Sequence, residues 1–567
     1  MAKRWVIKPI PAEERISLLS SAINVSPPLA ILLLQRGITT FEEARAFFRP
    51  SLEQLHNPFL MKDMDKAVWR LEEAIRNQER IMIYGDYDVD GTTAVAMFYT
   101  FLRRYYTNIT FYTPDRYTEG YGISLTGIDR AKEQGVSLVI SLDCGIKSNR
   151  AISYAVEQGI DFIVCDHHLP GEVLPPAYAV LDPKRRDCPY PYKELSGCGV
   201  GFKLLHAFCI NNNLPIDWLY SFLDLLAVSI AADIVPITGE NRVLTYFGLK
   251  QLNSNPRPGL KALIEVSDLR GEIEVANIVF GIGPRINAVG RIAHASHAIK
   301  LLCCDNLQEA VALAATANAN NEERREFDSH ITREAIEMIE QHFLHRKSTV
   351  LFKEDWHKGV IGIVAARCIE KYYRPTIILT KSDEKATGSA RSIVGFDIYE
   401  AIAECADLLE QYGGHKYAAG LTLPLSNLQA FQERFEQVVA ATLREEDMQP
   451  QIEIDLEVSL SQLSFKFFNI IKQMAPFGPQ NMQPVLVARR TEVIPESVRV
   501  LKETHLKFAV RQADSIVYDV IGFGMAAEYE ALVRSGKPLD IVFSLQENDY
   551  KGRKSLQLLL RDAHLSA

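Results

Sequence analysis

The chain has 567 residues, too long for one ordinary hydrophobic core, so several domains are expected. With 47% hydrophobic and 23% charged residues it has the composition of a globular protein, and no apolar run approaches the roughly 20 residues that span a bilayer. A net charge of −9, from 62 basic and 71 acidic residues, excludes a protein that simply coats nucleic acid, though not a local basic channel. Residues 451–567 hold 14 Lys or Arg and 14 Asp or Glu, so the excess acid lies upstream of them. The first residues, "MAKRWVIKPIPAEERISLL", lack the continuous apolar core and cleavage pattern of a secretory signal. Nine cysteines without CxxC spacing point to reduced thiols in a cytosol rather than to disulfides or zinc. A cytoplasmic protein without membrane contact is expected.

Residues 1–50 read as a helical segment ("PAEERISLLSSAI", "FEEARAFF") rather than a catalytic unit. From about residue 65 the pattern alternates. "KAVWRLEEAIRN" reads as a helix, "RIMIYG" as a short buried strand and "TTAVAMFYTFLRRYY" as a second helix. "NITFYT", "VSLVISL" and "DFIVC" then read as further strands separated by helices. Such alternation predicts a parallel sheet covered on both faces, in a unit spanning 51–304 whose stretch from 196 to 250 is mainly helical. Residues 305–346 hold no Pro, no Gly and no strand signal, and predict one or two long helices. A single one would reach roughly 60 Å, and its polar middle suits a connector between domains. A smaller α/β unit is expected over 347–445, opened by "STVLFKEDW" and "RPTIILTK". Beyond the charged boundary "REEDMQPQ", runs such as "PVLVARRTEVI", "LKFAVRQ" and "LDIVFSL" predict a small β-barrel over 450–567.

The stretch "IMIYGDYDVDGTTA" packs Asp86, Asp88 and Asp90 behind one of these strands. Asp143 follows "SLVISL", Asp166, His167 and His168 follow "DFIV", and Asp233 ends the apolar run "VSIAA". Ligands bind beyond the carboxyl ends of the strands in an open parallel sheet, so these side chains are expected to converge on one edge. Carboxylates so close raise one another's pKa unless they are protonated, paired or bound to metal. No Arg or Lys accompanies them within the motif, which favours divalent cations. Mixed aspartate and imidazole donors suit Mn2+ or Mg2+ better than zinc, and two ions close together are the arrangement used in phosphoryl hydrolysis. A lone DxD behind a strand is usually a turn or a helix cap. Both motifs at strand ends of one unit make coincidence a poor account.

At these residues the sequence resembles the DHH phosphoesterase superfamily, named for the triplet present here as Asp166-His167-His168. "GDYDVDGTTA", "PDRYTEGYG", "SLDCGI", "DHH", "AADIVP", "GIGPRINAVGRI", "GSARSI" and "GGHKYAAG" occur in the order seen in the RecJ family of bacterial single-strand-specific 5′→3′ exonucleases. The resemblance runs from about residue 50 to 445, and the β-rich tail fits that family's OB-fold. It implies a parallel-sheet DHH domain, a smaller α/β DHH-associated domain, a long helical connector and an OB-fold. It places metal ligands at Asp86, Asp88, Asp90, Asp143, His167 and Asp233, with Asp143 between two Mn2+ or Mg2+ ions and His168 near the phosphate or the second ion. Which of Asp86 and Asp90 is a direct ligand stays open: relatives carry a histidine where Tyr84 stands, and Asp86 is a candidate substitute. Cys144 stands where many relatives have asparagine, beside the bridge rather than in it.

Other segments are weighed on their chemistry. In "SGCGVGFK", Gly197, Gly199 and Gly201 lack Walker spacing and read as tight packing at a helix start. Arg285, Asn287 and Arg291 in "GPRINAVGR" suit DNA phosphates and are expected beside the metal edge. Ser389 and Arg391, on a glycine-preceded loop, with His415 in a glycine-rich turn and Arg116 of "PDRYTEGYG", form the expected clamp for a terminal 5′-phosphate. The expected activity is metal-dependent exonucleolytic cleavage of single-stranded DNA to mononucleotides, in recombination and repair, beside a RecQ-type helicase and single-strand-binding protein. The rivals are a DHH phosphodiesterase of oligoribonucleotides or cyclic dinucleotides, and a catalytically silent replication scaffold.

Overall fold

The structure is a computed structural model that describes residues 3–513, 515–550 and 552–566. Contacts divide the chain into two compact units. The first comprises Trp5–Gly283, Ile299–Ala310 and the residues from Glu453; the second comprises Pro284–Ala298 and Val311–Ile452, with the residues up to Arg4.

In the first unit five parallel strands form one sheet: β1 (Arg80–Gly85), β2 (Ile109–Tyr112), β3 (Val136–Leu142), β4 (Asp161–Cys165) and β5 (Ala179–Leu181), in the order β2-β1-β3-β4-β5. The central strands are near-continuous Val, Ile and Leu because both faces are covered, as parallel strands require. One face buries Met82, Tyr84, Val139 and Phe162 with Ile128, Ala131 and Ile152 of two short helices. On the other lie α1 (Val89–Leu102), α2 (Gly197–Asn211) and α3 (Leu223–Ala232), which pack on one another.

The tail folds as the expected barrel. Its strands are β11 (Leu456–Glu457), β12 (Leu486–Leu501), β13 (His505–Arg511), β14 (Tyr518–Gly522), β15 (Leu539–Tyr550) and β16 (Arg553–Leu565). They run β11-β12-β13-β14-β16-β15, and β15 pairs back onto β12, so the sheet closes. Residues 1–50, expected as a segment of their own, differ from that reading. Leu19, Ala44 and the all-apolar run Leu29–Leu34 share one hydrophobic core with Leu456, Phe467, Phe508, Ile541 and Leu558 of the tail. Arg242, buried, stacks on Phe47 at 3.8 Å and donates to the Phe47, Met474 and Ala475 carbonyls, tying the same pieces together.

The second unit has a mixed sheet: β6 (Thr349–Phe352), β7 (Thr376–Ser382), β8 (Lys385–Arg391), β9 (Gln411–His415) and β10 (Ala418–Pro424), ordered β9-β10-β8-β7-β6. Only β6 and β7 are parallel. Residues 283–292 form α4 (Gly283–Ile292), and the expected connector is one helix, α5 (Leu307–Met338), of 32 residues, about 48 Å at 1.5 Å per residue, ending in a π turn at Ile339–Phe343. Helix α6 (Ile361–Lys371) covers one face of the sheet. Among the described residues no single helix is long and apolar enough to cross a membrane, and the nine cysteines are free.

Candidate metal centre

The carboxyl ends of β1, β3 and β4 deliver Asp86, Asp143 and Asp166 to one edge of the first sheet, and the end of α3 delivers Asp233. There His167 Nε2 lies 3.2 Å from Asp143 Oδ1, 3.5 Å from Asp233 Oδ2 and 3.9 Å from Asp90 Oδ2. Both oxygens of Asp86, Oδ1 of Asp143 and both ring nitrogens of His167 are buried with no protein hydrogen-bond partner. Burial and mutual repulsion push the carboxyls of Asp86, Asp88, Asp143 and Asp233 above their ordinary range, while burial pulls His167 down. Orphaned buried polar atoms are costly. A divalent cation among the clustered donors Asp90, Asp143, His167 and Asp233 would relieve them, and carboxylates with imidazole suit Mn2+ or Mg2+.

The three clustered aspartates do different work. Asp88 caps α1 by accepting from Gly91 N. Asp90 takes three donors: Gly197 N at 2.6 Å and Cys198 N at 2.8 Å, from the first turn of α2, and Ser229 Oγ at 2.7 Å on α3. Backbone donors at a helix N-terminus are a sink for negative charge. Asp86 has weaker help, from the nearby Tyr87 and Gly122 amides and the charge of Arg116, without a well-formed hydrogen bond. Of the two aspartates left open by the sequence, Asp90 is hydrogen-bonded and still clusters with His167 and Asp233, whereas Asp86 is buried outside that cluster.

Asp166 is a hub rather than part of the orphaned set. Its Oδ1 accepts from the backbone of His167 and His168 and faces His168 Nδ1 at 2.7 Å, while Oδ2 accepts from Ile146 N. This pairing holds the Asp166 carboxyl well below the usual range and lifts His168 to about 9. Arg116 stacks on Tyr87 at 3.9 Å, beside Asp86 and Asp88.

Backbone strain marks the same edge. Asp143 has φ 61° and the β-branched Ile234, next to Asp233, has φ 58°, a region that side chains other than glycine rarely adopt. A Cβ on Gly197 would lie 2.4 Å from Asp143 Cβ, and one on Gly201 2.8 Å from Leu142 Cδ2, so tight packing is the role of both. Gly199 differs: its nearest neighbour would be an ordinary 3.4 Å away.

Sequence reasoning missed Ser229 and the two α2 amides, which carry no motif of their own; Ser196, capping α2 through Gly199 N, was the available signal. It also missed Asp182, which ends β5 as the others end their strands. Its Oδ2 is buried without a partner, and burial pushes its carboxyl up to about 7.

In the second unit Ser389 and Arg391 lie on strand β8, not on a loop. Antiparallel register sets Arg391 opposite Ala418 and Ser389 opposite Gly420, and then His415 opposite Ala418 and Gly413 opposite Gly420. Arg391 and His415 therefore flank a strip of sheet with almost no side chains. Arg391 donates to Ser389 Oγ and the Ala390 carbonyl, and burial alone lowers its pKa. A Cβ on Gly362, in the first turn of α6, would meet Ser389 Oγ at 2.8 Å and Arg391 Nη2 at 2.9 Å. Arg285 and Arg291, expected within the catalytic domain, pack with this unit instead: Arg285 donates to Asn318 Oδ1 and Arg291 to the Gly359 carbonyl. Asn287 is half-buried on the same helix, with its Oδ1 unpartnered.

Comparison with known proteins decides the family. The DHH family N-terminal domain matches residues 80–230, the DHHA1 domain 345–441 and the RecJ OB domain 454–562. The single-stranded-DNA-specific exonuclease RecJ of Salmonella typhimurium is 33% identical, covering 95% of this chain and 96% of its own. This chain belongs to the RecJ family. RecJ of Bacillus subtilis is 39% identical over 99% of this chain and 71% of its own length. The crystal structure of RecJ in complex with Mn2+ from Thermus thermophilus superposes with a TM-score of 0.85 at 28% identity, covering all of this chain and 80% of that one. The Mg2+ complex from the same organism gives 0.79 at 26% identity. The donor set here fits the ions of those two RecJ complexes.

Proposed function

We infer that this chain is a metal-dependent exodeoxyribonuclease that degrades single-stranded DNA from the 5′ end and releases 5′-mononucleotides. The observation that carries this reading is the cluster of Asp90, Asp143 and Asp233, each within 3.9 Å of His167 Nε2, at the sheet edge of a chain related to RecJ exonucleases over nearly its full length. Asp86, Asp88, Asp90, Asp143, His167 and Asp233 would hold two divalent cations, with Asp143 shared. When bound, such ions activate water and offset charge on the scissile phosphate. His168, held by Asp166, would touch that phosphate. Arg285, Asn287 and Arg291 bind the DNA backbone, where guanidinium matches phosphate oxygens. Ser389, Arg391 and His415 hold the terminal 5′-phosphate, because a half-buried guanidinium whose partners are both neutral favours an anion; Arg116, in the first unit, is a further phosphate-binding residue of this reading. The closed barrel tracks the strand further from the cut, as OB-folds do with a groove and stacking rings. In functional terms the catalytic domain spans 51–304 apart from the Pro284–Ala298 segment that packs with the second unit, the connector 305–346, the DHH-associated domain 347–445 and the DNA-tracking barrel 450–567. The same reading places the enzyme in the cytoplasm, in recombination and repair, beside a RecQ-type helicase and single-strand-binding protein.

A phosphodiesterase of oligoribonucleotides or cyclic dinucleotides would have no use for the barrel, and a silent scaffold none for the orphaned acids. The deciding experiment is Mn2+-dependent digestion of 5′- and 3′-labelled single strands, blunt duplex and short RNA side by side. Mononucleotides released from the 5′ end of single-stranded DNA are expected. Preference for short RNA, or release from the 3′ end, overturns the reading.

A further inference from the structure

Tyr121 has no part in the roles assigned so far, yet it lies against two of the groups that carry them. Its hydroxyl is 3.3 Å from the Asp143 carbonyl oxygen and 3.2 and 3.3 Å from the two ring nitrogens of His168. Its ring meets His168 edge-on at 5.8 Å and Tyr87 edge-on at 6.4 Å. The residue is 56% exposed, so the ring faces outward while the hydroxyl is packed among the acids.

The backbone around Tyr121 is built to hold it there. Gly120 and Gly122 on either side have φ 82° and 87°, conformations that side chains rarely adopt. Glu119 accepts from Tyr112, Ser124 and Asp115 N, and Asp115 accepts from Tyr117 N and Thr118 N, which fixes the loop's path. A hydroxyl has one proton to give and can accept as well. With the proton on the Asp143 carbonyl, its oxygen rests against the His168 ring, whose Nδ1 is turned to Asp166 Oδ1. Asp143 is the left-handed residue of the site, and its backbone is held at both ends: its N–H donates to the Cys165 carbonyl and its own carbonyl receives Tyr121.

We propose that Tyr121 is a positioning residue of the metal centre: its hydroxyl locks the strained Asp143 backbone, so that Oδ1 is aimed at the shared ligand position, and steadies the His168 ring against the substrate phosphate. The proposal rests on the exonuclease reading for its substrate, but its first readout does not. In the full chain, Tyr121→Phe keeps the ring and removes only the hydroxyl, and Tyr121→Ala removes both. Mn2+ binding to each metal-free protein is followed by calorimetry, without DNA, alongside melting temperature in chelator. Tyr121→Phe should bind Mn2+ about tenfold more weakly, the scale of one lost hydrogen bond, at an unchanged melting temperature. On single-stranded DNA it should lower kcat by a similar factor and leave KM within about twofold, whereas Tyr121→Ala should also raise KM, having lost the exposed ring. Wild-type Mn2+ affinity in Tyr121→Phe overturns the proposal. So does a lowered melting temperature with metal affinity intact, which marks a structural role. If the wild-type protein binds Mn2+ but leaves DNA uncut, the exonuclease reading fails while the binding comparison still judges Tyr121.

Discussion

The two α/β units solve opposite electrostatic problems. In the first, acids are gathered at a sheet edge and buried beyond what the protein's own donors satisfy; Asp90 receives three hydrogen bonds and Asp86 none. In the second, a guanidinium is half-buried with a hydroxyl and a carbonyl as partners, over a strip of glycine backbone. One unit is short of cations and the other of anions. Divalent metal would answer the first need and a phosphate the second.

The difference can be broken from either side. The largest effect is expected for Asp143→Ala, which should reduce cleavage to background while leaving DNA binding within a few-fold, because phosphate contacts elsewhere carry affinity. Mn2+ should raise the melting temperature of the wild-type chain, since it binds only the folded state, and should do so much less for this variant. Turnover near the wild-type rate would remove Asp143 from the centre. Next comes Gly197→Ala. The new methyl meets Asp143 Cβ and must shift it, and a displacement of about 1 Å can cost about a hundredfold in rate. Steady-state kinetics with unaltered activity would show that the contact is slack.

Arg391→Ala acts on the other unit. It should narrow the rate ratio between 5′-phosphorylated and 5′-hydroxyl strands by about ten- to hundredfold, with Mn2+ affinity unchanged. An undiminished ratio would mean that this strip does not read the end. The smallest effect is the control for Gly197: Gly199→Ala, two residues along the same helix, meets only ordinary contacts. It should leave activity within about twofold and raise thermal stability slightly, because alanine is the better helix former by about 1 kcal/mol.

Where the sequence was legible, and where not, follows from chemistry. Asp86, Asp143, Asp166 and Asp233 could be placed because each follows a recognisable apolar run, and strand ends of a parallel sheet share an edge. The donors on Asp90 could not. Two are backbone amides, which leave no residue-type signature, and Ser229 is one hydroxyl 139 positions away. "KATGSAR" reads as a loop because Gly and Ala have weak strand preference; its neighbours β7 and β10 make it a strand. Arg285 and Arg291 were assigned to the catalytic domain by adjacency in the chain, whereas contacts join them to the other unit. The run "PPLAILLL" announces burial, being apolar all round. Beside the near neighbours Leu19, Ile38 and Ala44, its partners in the tail begin more than 400 residues later and could not be guessed.

That distant partnership has a consequence for synthesis. Leu29–Leu34 leave the ribosome early, but the residues that cover them, from Leu456 to Ala563, are among the last of this chain to be made. At about 5–20 residues per second, an eight-residue apolar helix waits for tens of seconds with its final neighbours still unmade. Nascent chains halted before residue 453 should therefore be bound by hydrophobic-segment chaperones through this helix, and recombinant chains cut there should precipitate. A protein shortened by its barrel would consequently report on a misassembled first unit before it reported on DNA tracking.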